Sequence, residues 1–441
     1  MQHHVFHRNL HYDYPVVEKG EGVYVFDTTG KRYIDGCSSA LVNNIGHGVM
    51  EVAASMTAQA AKMAFMHMSQ FSNQPIAELA ELVAEMAPKE INRVYFVSGG
   101  SEATEAAIKM ARQYHWEKGN VSKYKVISRW QSFHGNSLGA VSIGGSTARR
   151  RKFSPILVEF PHIPPAYCYR CYYDKEYPSC QLTCAAMLEK TILQEGPENI
   201  SAFILEPIIG SSAAAVVPPP EYFAQIREIC DKYDVLLIAD EVMTGFGRTG
   251  ENFAVDHWQV TPDIICVAKG MSAGYTPLGA LLVRDKVYEA FNAGTGRFTH
   301  GHTYAGNPVS GAIGSEVLKY IEKYDLVAAA KKQGECLLNK LQDLSDLPIV
   351  GDVRGKGLML GVELVQEKTF KKPFAAEVSA TDRVKEKAFE KGLIIYPAKG
   401  CIDGSSGDSL LLAPPLTITN PQIDEIVAII KDTLSEFMNE L

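Results

Sequence analysis

Lys269 stands directly after a short apolar run, in the sequence Val267-Ala268-Lys269-Gly270. Such a run is typical of a buried strand, and lysine is rarely buried. Burial lowers the pKa of an amine, and an uncharged amine is what Schiff-base formation with a carbonyl group requires. Taken alone, a surface lysine in the loop after the strand is the simpler explanation of the pattern. The chemistry therefore depends on which other groups reach the same place.

Asp240 follows another apolar run, in the sequence Ala239-Asp240-Glu241-Val242. At the carboxyl end of a strand, this acid would face the crevice where α/β sheets bind their ligands. A buried carboxylate needs a partner, and a protonated ring nitrogen would serve. Capping of the next helix, or pairing with a basic side chain, is an alternative of equal weight for this acid alone.

The segment Ser98-Gly99-Gly100-Ser101-Glu102 predicts a turn from a strand into a helix. Glycines let the backbone approach a ligand closely, and the free N–H groups at a helix start favour an anion such as phosphate. The segment matches neither the dinucleotide fingerprint nor the P-loop, and a plain tight turn is the alternative.

Phe133-His134-Gly135 follows a further predicted strand and adds an aromatic ring, which can stack on a planar ligand. His134 could act as a base, but a hydrogen-bonding spacer is the simpler interpretation of a histidine in a glycine turn. The joint pattern is more specific than any of its members. Pyridoxal phosphate needs an anion site, a flat apolar surface, a counter-ion for its ring nitrogen and an amine. The sequence therefore predicts a pyridoxal-phosphate site that contains Lys269 and Asp240.

Short runs rich in Val and Ile predict buried strands that alternate with helices. The predicted strands are Val94–Val97, Lys125–Ser128, Ala202–Leu205, Val235–Ala239 and Ile264–Ala268. The helices predicted between them include Glu102–Trp116 and Glu221–Tyr233. This alternation predicts an α/β fold with a mostly parallel, doubly wound sheet.

The pattern changes in the last part of the chain to that of a smaller α+β unit. We therefore expect a large cofactor-binding domain at residues 61–325 and a small C-terminal domain at residues 326–441. Residues 1–60 are expected to form an N-terminal segment that packs with the small domain.

The composition excludes several classes of protein. The chain has 441 residues, of which 46% are hydrophobic and 21% charged, as in soluble globular proteins of about two domains. A net charge of -8 argues against nucleic acid or an anionic membrane as the main partner. No apolar run reaches the roughly 18 to 20 residues of a membrane span. Nine cysteines, an odd count in a large chain, favour free thiols in a reducing cytoplasm.

With these motifs the chain resembles the class III pyridoxal-phosphate aminotransferases, which have fold type I. The resemblance runs from about Gly20 to the C-terminus, and the motifs stand in the family's order. They are Gly99-Gly100-Ser101-Glu102-Ala103, Phe133-His134-Gly135, Glu206-Pro207, Asp240-Glu241-Val242 with Gly245-Phe246-Gly247-Arg248-Thr249-Gly250, Lys269-Gly270, Thr303-Tyr304-Ala305-Gly306-Asn307-Pro308, Arg354-Gly355 and Ala413-Pro414-Pro415.

The resemblance implies a role for each matching residue around the cofactor ring. Lys269 would carry the cofactor as a Schiff base and then move the substrate proton. Asp240 would pair with the ring nitrogen, and Phe133 and Val242 would lie on the two faces of the ring.

The resemblance also implies residues around the cofactor's phosphate. The backbone of Gly100 and Ser101 would hold it, and His134 and Glu206 would lie near the cofactor. Thr303 would reach the phosphate in the neighbouring subunit, so a homodimer with shared active sites is expected, and assembly to a tetramer stays open.

The family implies transfer of an amino group to a 2-oxo acid, and one departure bears on the donor. Members that use α-amino acids often carry Arg two positions before the Ala-Pro-Pro motif, where this chain has Leu411. An ω-amino acid or amine donor, with pyruvate as acceptor, is therefore expected. Lys399 and Arg354 are candidates for holding a substrate carboxylate, and Val42, where relatives often have Trp, predicts a roomier pocket wall.

Other activities use the same scaffold, and the sequence does not separate them from transamination. A racemase, an aminomutase or a decarboxylating transaminase would keep the cofactor and break or form a different bond. A non-catalytic relative is a further alternative, although every expected polar group is present.

Four cysteines lie close together at Cys168, Cys171, Cys180 and Cys184. Such a group could hold a structural zinc ion or form a redox pair. The short spacing between the second and third thiols is unusual for a zinc module. A reduced surface loop is the simpler interpretation, and we predict no metal site.

Overall fold

The structure, a computed structural model, describes residues 4–441. Its strands are β1 (Val17–Glu21), β2 (Tyr24–Asp27), β3 (Arg32–Asp35), β4 (Ile91–Val97), β5 (Lys125–Arg129), β6 (His162–Ile163), β7 (Ile200–Leu205), β8 (Leu236–Asp240), β9 (Ile264–Val267), β10 (Gly279–Arg284), β11 (Val350–Lys356), β12 (Met359–Leu364), β13 (Leu393–Ile394), β14 (Tyr396–Lys399) and β15 (Asp408–Leu412). Its helices are α1 (Ser38–Leu41), α2 (Met50–Lys62), α3 (Gln74–Met86), α4 (Gly100–Glu117), α5 (Leu138–Ile143), α6 (Thr147–Arg150), α7 (Thr183–Glu195), α8 (Tyr222–Lys232), α9 (Asp285–Ala293), α10 (Pro308–Lys323), α11 (Leu326–Gln342), α12 (Ala380–Glu390) and α13 (Asn420–Asn439).

The largest sheet has the strand order β4-β10-β9-β8-β7-β5-β6. Strands β6, β5, β7, β8 and β9 pair in parallel, whereas β10 is antiparallel to both of its neighbours. Every residue of β7 and β8 is buried, as expected for strands covered by helices on both faces. The predicted doubly wound, mostly parallel sheet is confirmed.

A second, antiparallel sheet has the order β11-β12-β15-β14 and packs with α11 and α12, and α13 packs on these two helices. It is the smaller α+β unit that the sequence predicts. A third sheet, β1-β2-β3-β13, joins the two ends of the chain, because Leu393 of β13 pairs in parallel with Ile34 of β3. The N-terminal segment thus contacts the C-terminal unit, although the first three residues of the predicted 1–60 segment lie outside the described residues.

Local signals explain where several helices begin. Asn73 and Asn307 cap α3 and α10 with their side chains, and α13 begins with a capping box of Thr419 and Gln422. The α4 helix is different, because Gly99 precedes it and supplies no side-chain cap. Within residues 4–441, no helix combines the length and the apolar character needed to cross a bilayer.

Candidate active site

A cavity of about 190 Å³ opens where β4, β5, β7, β8 and β9 end at their carboxyl termini. Parallel strands bring their carboxyl ends to one edge of the sheet, so residues distant in sequence meet there. The lining residues are Gly100, Ser101, Phe133, His134, Gly135, Asn136, Glu206, Ile208, Asp240, Val242, Met243 and Lys269. Eight of the predicted site residues therefore share one cavity.

Lys269 follows the end of β9 and begins a short 3-10 turn that ends at Met271. Its φ angle of 41° lies in the left-handed region, where a residue with a β-carbon is strained. Burial among protein atoms lowers the pKa of its ammonium group to about 8, against the opposing effect of Asp240 and Glu206. About one tenth of this amine is therefore uncharged at pH 7, far more than for an ordinary lysine.

Asp240 is the last residue of β8 and is buried. Its Oδ1 accepts a hydrogen bond from the Val242 backbone N–H at 3.1 Å, and its Oδ2 lies 2.7 Å from Nδ1 of His134. The other ring nitrogen of His134 lies 3.3 Å from Oγ of Ser128. His134 thus holds the carboxylate in a fixed orientation at the cavity.

The start of α4 forms the anion-binding end of the cavity. Because Gly99 gives no side-chain cap, the N–H groups of the first turn stay available to a ligand. Glu102 accepts a hydrogen bond from the Ser98 N–H at 2.7 Å, so its carboxylate is held beside the residue that follows β4. A β-carbon on Gly100 would lie 2.8 Å from Cγ1 of Val242. Only glycine therefore allows the first turn of α4 to lie this close to the Val242 side chain.

Glu206 is a second buried carboxyl group in the cavity. Its Oε2 accepts a hydrogen bond from the Phe133 N–H at 3.3 Å, and its Oε1 accepts one from the Gly210 N–H at 3.2 Å. Burial, together with the neighbouring charge of Asp240, raises the pKa of Glu206 to about 7. This carboxyl group positions the backbone that carries the aromatic ring.

Residues 38–44 approach the same region from the N-terminal sheet. Ser38, Ser39 and Leu41 have positive φ angles of 49°, 62° and 60°, a cluster of strain that is typical of functional segments. A β-carbon built on Gly274 would lie 3.2 Å from Cγ1 of Val42, which places Val42 beside the loop that follows Lys269. Val42 is not among the residues that line the cavity.

Three predicted residues lie away from the cavity. The Arg354 guanidinium is 2.7 Å from Asp352 and 2.9 Å from Glu363, and the ammonium group of Lys399 pairs with Asp382. Neither residue lines the cavity, and each cation is paired with a carboxylate, so a role of either in substrate binding stays a prediction. Thr303 is exposed and also lies outside the cavity of its own chain.

The sequence analysis missed Asn136, Ile208 and Met243 in the cavity wall, and Ser128 behind His134. Asn136 follows the Phe-His-Gly motif directly, so its position could have been inferred. Ile208 and Met243 follow Glu206 and Asp240 by two and three residues but carry no chemical signal of their own.

The four clustered cysteines are unpaired; Cys168 is exposed, and Cys171, Cys180 and Cys184 are half-buried. Burial raises the pKa of Cys184 to about 11, so this thiol stays protonated. Among residues 4–441, no group of three or more His, Cys, Asp or Glu side chains has an arrangement that could hold a metal ion.

Comparison with known proteins places these features in a family. The family described as Aminotransferase class-III matches residues 6–434. The protein named "Uncharacterized aminotransferase YodT" of Bacillus subtilis is 42% identical over 423 residues, covering 96% of this chain and 95% of the relative. The putrescine–pyruvate aminotransferase of Pseudomonas aeruginosa is 36% identical over 423 residues, covering 96% and 90%.

Solved structures agree with the sequence relatives. The (S)-enantioselective omega-transaminase of Thermomicrobium roseum superposes with a TM-score of 0.93 at 37% identity, covering 99% of this chain and 96% of the other. An aminotransferase of Bacillus anthracis gives a TM-score of 0.92 at 36% identity, covering 98% and 96%. From these similarities along nearly its whole length, the chain belongs to the class III aminotransferases, pyridoxal-phosphate-dependent enzymes of fold type I that move amino groups between an amino donor and an oxo acid.

Proposed function

We propose that this protein binds pyridoxal phosphate in the cavity around Lys269 and transfers an amino group from an ω-amino acid or amine to a 2-oxo acid, with pyruvate as the acceptor. The observation that carries the proposal is that Lys269, with its lowered pKa, and Asp240 line one cavity. The Pseudomonas aeruginosa relative is named for putrescine and pyruvate, and the Thermomicrobium roseum structure is an omega-transaminase, which supports this substrate class.

The residues of the cavity fit the cofactor. The uncapped start of α4, at Gly100 and Ser101, offers N–H groups for a phosphate. Phe133 and Val242 line the same cavity and supply apolar surfaces for a flat ring. Asp240 is buried and would act as the counter-ion of a protonated ring nitrogen.

When bound, pyridoxal phosphate supplies a carbonyl group that condenses with amines and a cationic ring that takes up an electron pair. The chain supplies the proton chemistry. The Nζ atom of Lys269, uncharged in part near neutral pH, would accept the proton from the substrate carbon and return it to a neighbouring atom. Asp240, oriented by His134, would keep a positive charge on the ring through each step.

The proposed class of amino donor rests on Leu411 in the small domain. Leu411 is buried within β15, where it offers no charge to an α-carboxylate. A donor without an α-carboxylate, such as an amine or an ω-amino acid, is therefore favoured. Val42, beside the loop after Lys269, would leave more room for that donor than a larger residue.

A panel of donors incubated with pyruvate and scored for alanine tests the proposed function. We expect alanine and the matching aldehyde or oxo acid with amines or ω-amino acids, and little alanine with ordinary α-amino acids. An inverted or isomerised donor without alanine would instead favour a racemase or an aminomutase. Release of carbon dioxide together with alanine would favour a decarboxylating transaminase.

Gly100→Ala is expected to weaken cofactor binding by about tenfold or more, because the added carbon crowds Val242 and the N–H groups that would hold the phosphate. The apparent dissociation constant, from the visible absorbance of the bound cofactor, is the measurement. Gly99→Ala is the matched control, since a β-carbon there meets no heavy atom within 4 Å. Equal effects of the two substitutions would contradict the assignment of the phosphate site.

We also propose a homodimer in which Thr303 of one subunit reaches the cofactor phosphate of the other. The exposed position of Thr303, in the loop before α10, supports this arrangement.

Domain limits at residues 60/61 and 325/326 are part of the same proposal, supported by the pairing of β13 with β3. Nine unpaired cysteines support a cytoplasmic location.

A mixing experiment tests the shared site. Lys269→Ala and Thr303→Glu are each expected to be inactive alone, the second because its carboxylate repels the phosphate. Unfolded and refolded together, they should regain about one quarter of wild-type activity, since about half of the dimers are mixed and each has one intact site. No recovery in mixed dimers, verified by mass, would show that Thr303 serves its own subunit.

A further inference from the structure

The cavity has an excess of negative groups for a reaction with an oxo acid. Asp240 and Glu206 both line it, and Lys269 is the cation among its lining residues. Burial already raises the pKa of Glu206 to about 7, so a further carboxylate would be disfavoured there without a cation of its own. An acceptor such as pyruvate therefore needs a positive group next to the cavity that is not used elsewhere.

The buried arginines near the cavity donate to backbone carbonyl groups. Arg129 donates from Nη2 to the Glu206 carbonyl at 2.5 Å. Arg248 donates to the carbonyls of Leu358 and Pro414 at 3.0 and 2.5 Å and to Oγ of Ser38 at 3.1 Å. These guanidiniums hold the backbone together, and neither can turn to a substrate without leaving buried carbonyls unpaired.

Arg149 differs from them. Its guanidinium carbon lies 4.5 Å from the ring centroid of Phe133, which lines the cavity, and the side chain is half-buried. Within the part of the chain that the structure describes, this guanidinium has no carboxylate partner, so its donors remain available. An arginine on an aromatic face keeps its planar edge free for a bidentate contact with a carboxylate.

The short helix that carries Arg149 is fixed at several points. The next residue, Arg150, donates to the carbonyls of Val141, Ser142 and Gly144 at 3.1, 2.5 and 2.9 Å. The Ala148 N–H donates to the carbonyl of Gly404, in the loop between β14 and β15, at 3.3 Å. The backbone at Arg149 is therefore held between the large sheet and the C-terminal unit. This fixes the position of the Cα atom from which the Arg149 side chain extends.

We propose that Arg149 binds the carboxylate of the 2-oxo acid acceptor. The inference rests on the proposed function and deepens it. Lys399 and Arg354, the candidates from the sequence, are each paired with a carboxylate, whereas the Arg149 guanidinium is not.

The test compares two three-carbon acceptors, pyruvate and propanal, of which only pyruvate has a carboxylate. The enzyme is loaded with pyridoxal phosphate, aminated with a donor that lacks a carboxylate, and mixed with each acceptor. Arg149→Met should lower kcat/KM for pyruvate about 10- to 100-fold, mainly through KM, and change the value for propanal less than about twofold. Arg149→Lys should recover part of the loss, because a point charge remains.

Arg151→Met is the matched control, since Arg151 is exposed in the same arginine run and should leave both acceptors unaffected. Equal losses for pyruvate and propanal would overturn the proposal, because they would indicate a role in holding Phe133. Unchanged kinetics for pyruvate would overturn it as well. If the wild-type enzyme bound no cofactor or aminated no acceptor, the proposed function itself would fail, and this inference with it.

Discussion

Lys269→Ala is expected to lower turnover of an amine with pyruvate by at least about 10,000-fold, because the variant loses both a nucleophile and the group that moves the proton. The visible absorbance of the bound cofactor, and its sensitivity to borohydride, should disappear together with activity. The measurement is the steady-state rate, paired with an absorbance spectrum of the purified variant. Turnover that persists in a folded variant would show that another group performs the chemistry.

The pH dependence of stability gives an independent check on the charge of Lys269. Burial lowers the pKa of its ammonium group to about 8 from an ordinary value of 10.5, so the folded, cofactor-free chain binds this proton less tightly than the unfolded chain. The resulting destabilisation is fully present below pH 8 and is lost as the pH rises toward 10.5.

Lys269→Met removes the charge and keeps most of the volume. It should therefore raise the unfolding temperature of the cofactor-free protein at pH 7, and the gain should fade as the pH rises past 10.5, where the Lys269 amine is mostly neutral in both the folded and the unfolded wild-type chain. A gain that does not change with pH would indicate a packing effect instead.

The sequence predicts the centre of this site well, because its signals are local. Lys269, Asp240 and Gly100 each follow an apolar run, and parallel strands bring such positions to one edge of a sheet. The reversed strand β10 was not predicted, since its apolar run Gly279–Arg284 has no feature that shows direction. Strand direction depends on pairing partners that lie far away in the sequence.

The same limit explains why the ion pairs of Arg354 and Lys399 were not predicted. Arg354 meets Glu363 because β11 and β12 form a hairpin, and Lys399 meets Asp382 across β14 and α12. Neither carboxylate is adjacent in sequence to its cation. Arg149 was overlooked for the opposite reason, since three successive arginines indicate a solvated surface until the contact with Phe133 is known.

Asp240→Asn is the second substitution with a very large expected effect. The substitution preserves the shape of the side chain and can keep the hydrogen bond from the Val242 N–H, but it removes the negative charge beside the bound ring. We expect kcat to fall by about 1,000-fold, in the range found when a preorganised electrostatic partner is lost from a buried site. Cofactor should remain attached to Lys269, so absorbance near that of the wild type is expected together with slow amination.

Glu241→Gln is the matched control for Asp240→Asn, because Glu241 is the next residue and is also buried. Its carboxylate accepts hydrogen bonds from the N–H groups of Ala254 and Val255 at 3.0 and 2.9 Å and does not line the cavity. This control should lower stability by about 1 to 3 kcal/mol with little change in kcat. Rate losses of the same size in both variants would mean that each substitution disturbs the local structure at the end of β8. A loss of kcat confined to Asp240→Asn would assign the electrostatic role to the Asp240 carboxylate.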